Sequence, residues 1–305
     1  MNIIKIIIIA VLNIFFLTSC SSPKNENMLR LGFMPNVTHA TALVGIEKNI
    51  FQDELGENIK FKPVHFIVGN SIIDAFITSQ IDIAYIGPGP FINALYRKIP
   101  IKLLANAANG GTVIVGTKDV KAIHELPQRI AVPQYGNTQD LILRKYLEGN
   151  NLFDKVKIIS IPPQDTATAF FTMSIDAACL PEPWGTILIE RRICKLLVDE
   201  KNILNNGNYP VTLLVINKDY ANEHPDLVNK FLKAHKLSND FIVKNPEETI
   251  KLVTGAIAKI TKKQIDSKII AKSISRCNFN NELDLNLLKE FKTIGIKAGY
   301  YRKEF

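Results

Sequence analysis

Two stretches carry residues whose types and spacing could hold a small ligand. Ile81-Asp-Ile-Ala-Tyr-Ile-Gly-Pro-Gly-Pro90 alternates apolar and polar residues up to Ile86, breaks at Gly87-Pro88-Gly89-Pro90, and resumes with Phe91, Ile92 and Leu95 at helical spacing. That pattern predicts a buried strand, a tight glycine turn and a helix start. The first N–H groups of a helix have no partner within it and lie at its positive end, so they suit the polar or anionic part of a solute. Arg129-Ile-Ala-Val-Pro-Gln-Tyr-Gly-Asn-Thr-Gln-Asp140 has the same grammar: a strand reaching Gly136, with Asn137-Thr138 placed to cap a helix carrying Leu143, Tyr146 and Leu147. Two such helix starts, one in each half of the chain, predict a cleft between two α/β lobes.

The elements that must position them alternate along the chain. Strands are expected at 28–34, 59–66, 81–86 and 101–105, with helical stripes between them at Leu43, Ile46 and Ile50 and at Ile72, Ile73, Phe76 and Ile77. Strands alternating with helices in short repeats predict mostly parallel sheets with right-handed crossovers, and ligands then sit off the carboxyl ends of the strands. Asn109-Gly110-Gly111 reads as the first crossing, either a hinge or a plain loop. Strands at 129–134, 156–161, 175–180 and 195–198 and helices at 138–149 and 165–174 repeat the theme, and Pro210 to Asn217 reads as the return. The expected organisation is therefore lobe one over 28–111, lobe two over 112–209, and a return to lobe one with C-terminal helices over 210–305. The late stripes, Leu227, Val228, Phe231 and Leu232, then Thr249, Val253, Ala256 and Ile260, and finally Leu287, Leu288, Phe291 and Ile294, are expected to pack on lobe one and to carry no chemistry.

Length and composition agree with such a chain. Its 305 residues suffice for two lobes with real cores, and 47% hydrophobic with 22% charged residues is ordinary for a globular protein. The net charge of +8 comes from lysines spread thinly along helix faces; no basic stripe interleaves with aromatics, so no nucleic-acid partner is expected. At the N-terminus, Lys5, the apolar run Ile6 to Leu17 and the small residues before Cys20 read as a targeting segment over 1–19, too short for the roughly 20 residues that span a bilayer. Leu17-Thr-Ser-Cys20 resembles a bacterial lipobox, which implies cleavage before Cys20 and lipid on its thiol, with residues 20–27 as a polar tether. Cys179, Cys194 and Cys277 then remain, read as separate buried thiols, with a Cys179–Cys194 pair as the alternative. No CxxC and no His/Cys cluster at zinc spacing occurs, so neither metal nor cofactor is expected.

Pro35-Asn-Val-Thr-His-Ala40, Ala42-Leu-Val-Gly45, Tyr85-Ile-Gly-Pro88, Pro133-Gln-Tyr-Gly-Asn-Thr-Gln-Asp140, Pro181-Glu-Pro-Trp-Gly-Thr186 and His224-Pro-Asp-Leu-Val228 occur in that order. Together they resemble the substrate-binding proteins of ABC importers, of the nitrate/sulfonate/taurine/bicarbonate type, related to thiamine-pyrimidine-precursor binding proteins. The resemblance covers nearly the whole mature chain. It implies a type II periplasmic-binding-protein fold, an α/β architecture whose two lobes close on a small solute, and an extracytoplasmic, lipid-anchored monomer. It also implies delivery to a membrane permease driven by a cytoplasmic ATPase on another chain. Gly111-Thr-Val-Ile-Val-Gly116-Thr117-Lys118 has Walker-like glycines but reverses the Lys-Thr order, so no ATPase motif is present here.

The ligand contacts expected on this reading are backbone N–H groups around Gly87, Pro88 and Gly89 and around Gly136, Asn137, Thr138 and Gln139. Thr38, Asn70 and Thr138 side chains would fix orientation, Asn36 and His39 lie in the first turn, and Asn109, Gly110 and Gly111 lie at the crossing. Tyr85 and Trp184 could cover an apolar moiety, although Trp184 could equally pack the lobe junction. Neither helix start carries arginine or lysine, which favours a singly charged or neutral solute. Glu182 would repel an anion unless the solute also bears an amine, as taurine does; without that role it is a carboxylate bonded to local backbone. An enzyme on the same fold, a thiamine-precursor binder and a surface sensor or adhesin are the alternatives. Against an enzyme, no GxSxG, HExxH or close pair of catalytic carboxylates appears, and the cysteine-rich motif of the related pyrimidine-forming enzymes is missing.

Overall fold

A computed structural model describes residues 27–120 and 129–302. The targeting segment, Cys20 and nearly all of the tether lie outside the described residues. The chain first forms β1 (Met28–Phe33), a 3-10 turn at Val37–His39, α1 (Ala40–Glu47), α2 (Ile50–Leu55), β2 (Lys60–His65), α3 (Gly69–Ile77), β3 (Ile83–Ile86), α4 (Pro88–Tyr96) and β4 (Ile101–Gly110). It continues with β5 (Thr112–Gly116), β6 (Arg129–Val132), α5 (Thr138–Gly149), β7 (Lys157–Ser160), α6 (Thr166–Phe171), β8 (Ala177–Pro181), α7 (Trp184–Glu190), β9 (Lys195–Val198) and α8 (Glu200–Ile203). It ends with β10 (Pro210–Asn217), α9 (Lys218–Glu223), α10 (Pro225–Lys244), α11 (Pro246–Thr261), α12 (Ser267–Ile274), β11 (Cys277–Asn278) and α13 (Leu285–Lys297).

Two sheets result, ordered β11-β4-β10-β3-β1-β2 and β7-β6-β8-β5-β9. In the first, β2, β1, β3 and β4 run one way while β10 and β11 oppose them. In the second, only β5 opposes its neighbours. The reversed strands β5 and β10 are the ones that carry the chain between the sheets. β4 ends facing the cleft, so the strand that enters the second sheet must start at the cleft and run away from it; β10 does the same on return. Parallel strands joined by helices, by contrast, all deliver their carboxyl ends to the cleft side.

Strands buried on both faces explain the apolar runs. Every residue of β3 and of β5 is buried, as sheets covered by helices on both sides require. α10 lays Leu227, Phe231, Ala234 and His235 inward, and Phe231 stacks on Phe51 of α2 with centroids 4.7 Å apart. Burying one such ring contributes about 1.5–3 kcal/mol.

The C-terminal helices depart from expectation. α10 and α11 pack on α1 as predicted, but α12 lies against α7 and α13 against both α4 and α5. Gly295 in α13 leaves room for the ring of Tyr301, which meets Tyr96 of α4 at 5.3 Å between centroids. Arg144 of α5 donates to the Tyr300 hydroxyl at 2.7 Å. The end of the chain therefore ties α4 to α5 across the cleft. Cys179, Cys194 and Cys277 are all free thiols, and burial pushes Cys194 up to about 12. Among the described residues no helix is long and apolar enough to cross a membrane.

Candidate functional site

A cavity of about 520 Å3 opens between the two sheets, a size that suits an organic metabolite. The first lobe reaches it through the turn after β1. Asn36 caps the 3-10 turn, its Oδ1 accepting from the His39 N–H at 3.2 Å and from the Thr38 hydroxyl at 3.0 Å. His39 Nδ1 accepts the Met34 N–H at 3.3 Å, so the ring's proton sits on Nε2, leaving a donor. Burial lowers His39 to about 3, so the ring stays neutral and gives a hydrogen bond rather than a charge. Asn36, Thr38 and His39 all line the cavity.

Gly87 lines it too, as the N-cap of α4. Here the donor expectation needs correction. Pro88 and Pro90 have no N–H, so Gly89 supplies the donor in that first turn, and it donates to Thr138 Oγ1 across the cleft at 3.4 Å. A methyl group on Gly89 would lie 2.5–2.6 Å from backbone atoms of Gly136, Asn137 and Thr138, and one on Gly87 would collide with Thr138 Oγ1. The start of α4 is thus a packing surface against the start of α5, and Pro88 and Gly89 are not among the lining residues.

The start of α5 is built differently. Asn137 Oδ1 accepts the Asp140 N–H at 3.0 Å, and the fully buried Asp140 carboxylate accepts from Gly136 N at 2.7 Å and from Arg144 Nε at 2.9 Å. Gly136 itself, with φ +70° as this turn demands, supports the loop without lining the cavity. The N–H groups of Thr138 and Gln139 remain free for a ligand among the described residues, and Asn137, Thr138 and Gln139 line the cavity. Trp184, the first residue of α7, lines it as well and is half-buried.

Other expected residues stand elsewhere. Tyr85 is fully buried in the first lobe, its hydroxyl donating to His235 Nδ1 at 2.8 Å, because that face of β3 is covered by α10. Burial pulls His235 down to about 4. Asn70 falls one residue inside α3, which begins at Gly69, so Val68 and Gly69 line the cavity instead. Asn109, Gly110 and Gly111 form the crossing itself. Gly110 N donates to Tyr209 O at 2.9 Å and Gly111 N to Arg276 O at 2.8 Å, with φ of +74° and +66° at the two glycines. Glu182 is fully buried and binds Arg276 at 2.8 Å, Ser273 at 3.1 Å and the Thr186 N–H and hydroxyl at 3.1 and 2.9 Å. It therefore meets the start of α7 and the C-terminal segment, so it is not available to a solute amine.

The cavity also contains residues the sequence reading did not select. His65 ends β2 and Ile67 and Val68 follow it, Pro133 and Gln134 follow β6, and Pro163 and Gln164 follow β7. The strand-to-turn signal that picked out Gly87 and Asn137 applies equally to these strand ends. Arg191 and Lys263 also line it, so basic side chains do reach the cleft, although not from the two helix starts. Ile257, Ile260, Thr261, Gln264 and Ile265 come from the end of α11 and the segment after it. Among the described residues no aspartate or glutamate lines the cavity, and no cluster of three or more His, Cys, Asp or Glu side chains could hold a metal.

Comparison with known proteins agrees with this architecture. The profile of the NMT1-like family matches residues 22–258. The taurine-binding periplasmic protein of Escherichia coli (strain K12) is 26% identical over 213 residues, 69% of this chain and 65% of the relative. The putative aliphatic sulfonates-binding protein of Bacillus subtilis (strain 168) is 24% identical over 293 residues, 92% of this chain and 84% of the relative. Among solved structures, the alkanesulfonate-binding protein SsuA from Xanthomonas axonopodis pv. citri bound to MOPS superposes with a TM-score of 0.75 at 15% identity, covering 91% of this chain and 95% of that one. The fold is that of the periplasmic binding proteins.

Proposed function

The chain belongs to the NMT1-like family, and from that premise we propose that it is the solute-binding component of an ABC importer, capturing a small organic anion of the sulfonate class by lobe closure. The observation that carries this reading is the pairing of free helix-start donors at Thr138 and Gln139 with a cavity whose walls include Trp184, Ile187, Ile257 and Ile260 and which, among the described residues, no carboxylate lines. An anionic head accepts from those N–H groups and from His39 Nε2, at the positive end of α5. Trp184, Ile187 and the prolines of the lining cover an apolar body.

The same lining ranks the candidate solutes. Nitrate and bicarbonate, with four heavy atoms each, would leave most of the roughly 520 Å3 empty. Taurine brings an ammonium group that meets no carboxylate, since Glu182 is held by Arg276. An alkyl or aryl sulfonate satisfies both ends. A second reading, a thiamine-pyrimidine precursor, draws on Trp184 as a stacking face and on the amides of Gln134, Gln139 and Gln164. On either reading the protein acts as an extracytoplasmic monomer held to the membrane by lipid on Cys20, handing its cargo to a permease and catalysing no reaction.

Titration calorimetry and thermal shift with ethanesulfonate, hexanesulfonate, taurine, nitrate, bicarbonate and a thiamine pyrimidine test this. Sulfonates without an amine are expected to raise the melting temperature most. Stabilisation by the pyrimidine alone would replace the sulfonate assignment, and a flat response to the whole panel would remove both.

A further inference from the structure

Past the helix starts the cavity continues between two apolar walls. α7 contributes Trp184 and Ile187, followed by Arg191 just after its end; these residues are spaced three and four apart and so share one face. Opposite them stand Ile257, Ile260 and Ile265, from the end of α11 and the segment after it. Seven residues of helix rise about 10 Å, and helical side chains lean toward the N-terminus. Arg191 therefore sits about 10 Å along α7 from Trp184 and leans back along Ile187 toward it.

Arg191 and Lys263 are the Arg and Lys side chains of the lining, one from each side of the cleft. Neither has an ion-pair partner among the described residues. The carboxylates nearby are occupied: Glu190 by Lys272 at 2.5 Å, Glu182 and Glu200 by Arg276 at 2.8 and 3.4 Å, and Asp266 by the N–H of Lys268 at 2.8 Å as the cap of α12. Both residues are exposed to solvent; an alkyl tail ending here would gain nothing from them, whereas a second anionic group would accept from them.

Resting on the anion-receptor reading above, we propose that the cleft is built for an elongated organic dianion. One acidic group meets the start of α5, a short aliphatic or aromatic spacer lies between Ile187 and Ile257, and a second sulfonate or carboxylate meets Arg191 and Lys263. The distal cations select the solute by its far end, and the isoleucine walls set the spacer's length and apolar character.

Calorimetry with the full chain at 0.15 M salt, where charges beyond about 8 Å are largely screened, decides the matter. The probes are hexane-1,6-disulfonate, 1-hexanesulfonate and ethane-1,2-disulfonate. The 1,6-disulfonate is expected to bind about tenfold more tightly than hexanesulfonate, and the short disulfonate to bind no better than hexanesulfonate. In Arg191→Gln combined with Lys263→Gln, the ratio between the 1,6-disulfonate and hexanesulfonate should collapse toward one. Equal affinities in the unmodified protein, or a ratio that survives both substitutions, overturns the dianion proposal while leaving the sulfonate receptor standing. Failure of all three probes to bind removes both readings.

Discussion

The starts of α4 and α5 face one another across the cleft, and they are opposites in chemistry although their sequences share one grammar. α5 opens with Asn137 and Asp140, which satisfy the loop and leave two N–H groups free. α4 opens Gly-Pro-Gly-Pro, with no side-chain cap and two prolines that have nothing to donate. One start offers hydrogen bonds; the other offers a surface bare enough for the first to be pressed against it. A strand-glycine-helix pattern thus locates a cleft wall, but only the residue types in the first turn say whether that wall binds or merely fits.

The comparison breaks most sharply at Asp140. Its carboxylate is fully buried, holding the Gly136 N–H and the largely buried Arg144. Asp140→Asn leaves Arg144 without its ion-pair partner, and removal of one member of a buried pair costs about 3–5 kcal/mol. Urea unfolding should show that loss in full. A change below about 1 kcal/mol would mean that the start of α5 is held by packing alone and is no better determined than that of α4.

Gly89→Ala tests the opposite wall. The added methyl group meets backbone on three sides, which cannot give way as a side-chain tip can, so the jaws are held apart. Solute affinity is expected to fall about a hundredfold, or about 2.7 kcal/mol, because the two helix starts can no longer come into contact around the solute. Unaltered affinity in calorimetry would show that closure does not require these two helix starts to touch.

Acid separates the lobes more gently. His39 and His235 both belong to the first lobe, both are buried, and desolvation lowers them to about 3 and about 4. His235 accepts from Tyr85 at Nδ1 and donates to the Asn106 carbonyl at Nε2, so protonation would break a satisfied pair. Both folded values lie below the ordinary histidine value near 6.5. Above that pH the folded and unfolded chains are equally unprotonated; below it the unfolded chain takes up protons that the folded one refuses, so stability falls progressively toward pH 4–3. Each histidine accounts for roughly 2 kcal/mol between pH 7 and 5. His235→Gln should flatten that slope, and a wild-type unfolding free energy independent of pH over this range would contradict the buried neutral rings.

Strand and helix positions were legible because their signals are local. β9, β10 and α5 occupy the predicted residues, and the two reversed strands were identifiable as crossings, although not as reversed. Tyr85 was misplaced because the alternation read up to Ile86 does not hold within β3: Ile83-Ala-Tyr-Ile86 is buried throughout, and such a strand does not say which face meets a helix and which the cleft. Arg191, Lys263 and the α11 isoleucines were missed for a different reason. They reach the cavity through the packing of C-terminal helices against both lobes, a contact between distant segments that leaves no mark in any short window of sequence.

The smallest effect isolates the cause of the contrast between the two starts. Pro90 lines the cavity at the third position of α4, where any other residue would present an N–H that the helix itself cannot use. Pro90→Ala restores that donor beside the cavity while relaxing the loop by less than about 1 kcal/mol. If the prolines are what silence α4, an anion should gain about two- to fivefold in affinity, the range for one exposed helix-end interaction of 0.3–1 kcal/mol. A neutral solute should gain nothing. Equal gains for hexanesulfonate and a neutral alcohol of the same length would trace the effect to flexibility, and no gain for either would mean that the axis of α4 points away from the bound head, whatever its first residues are.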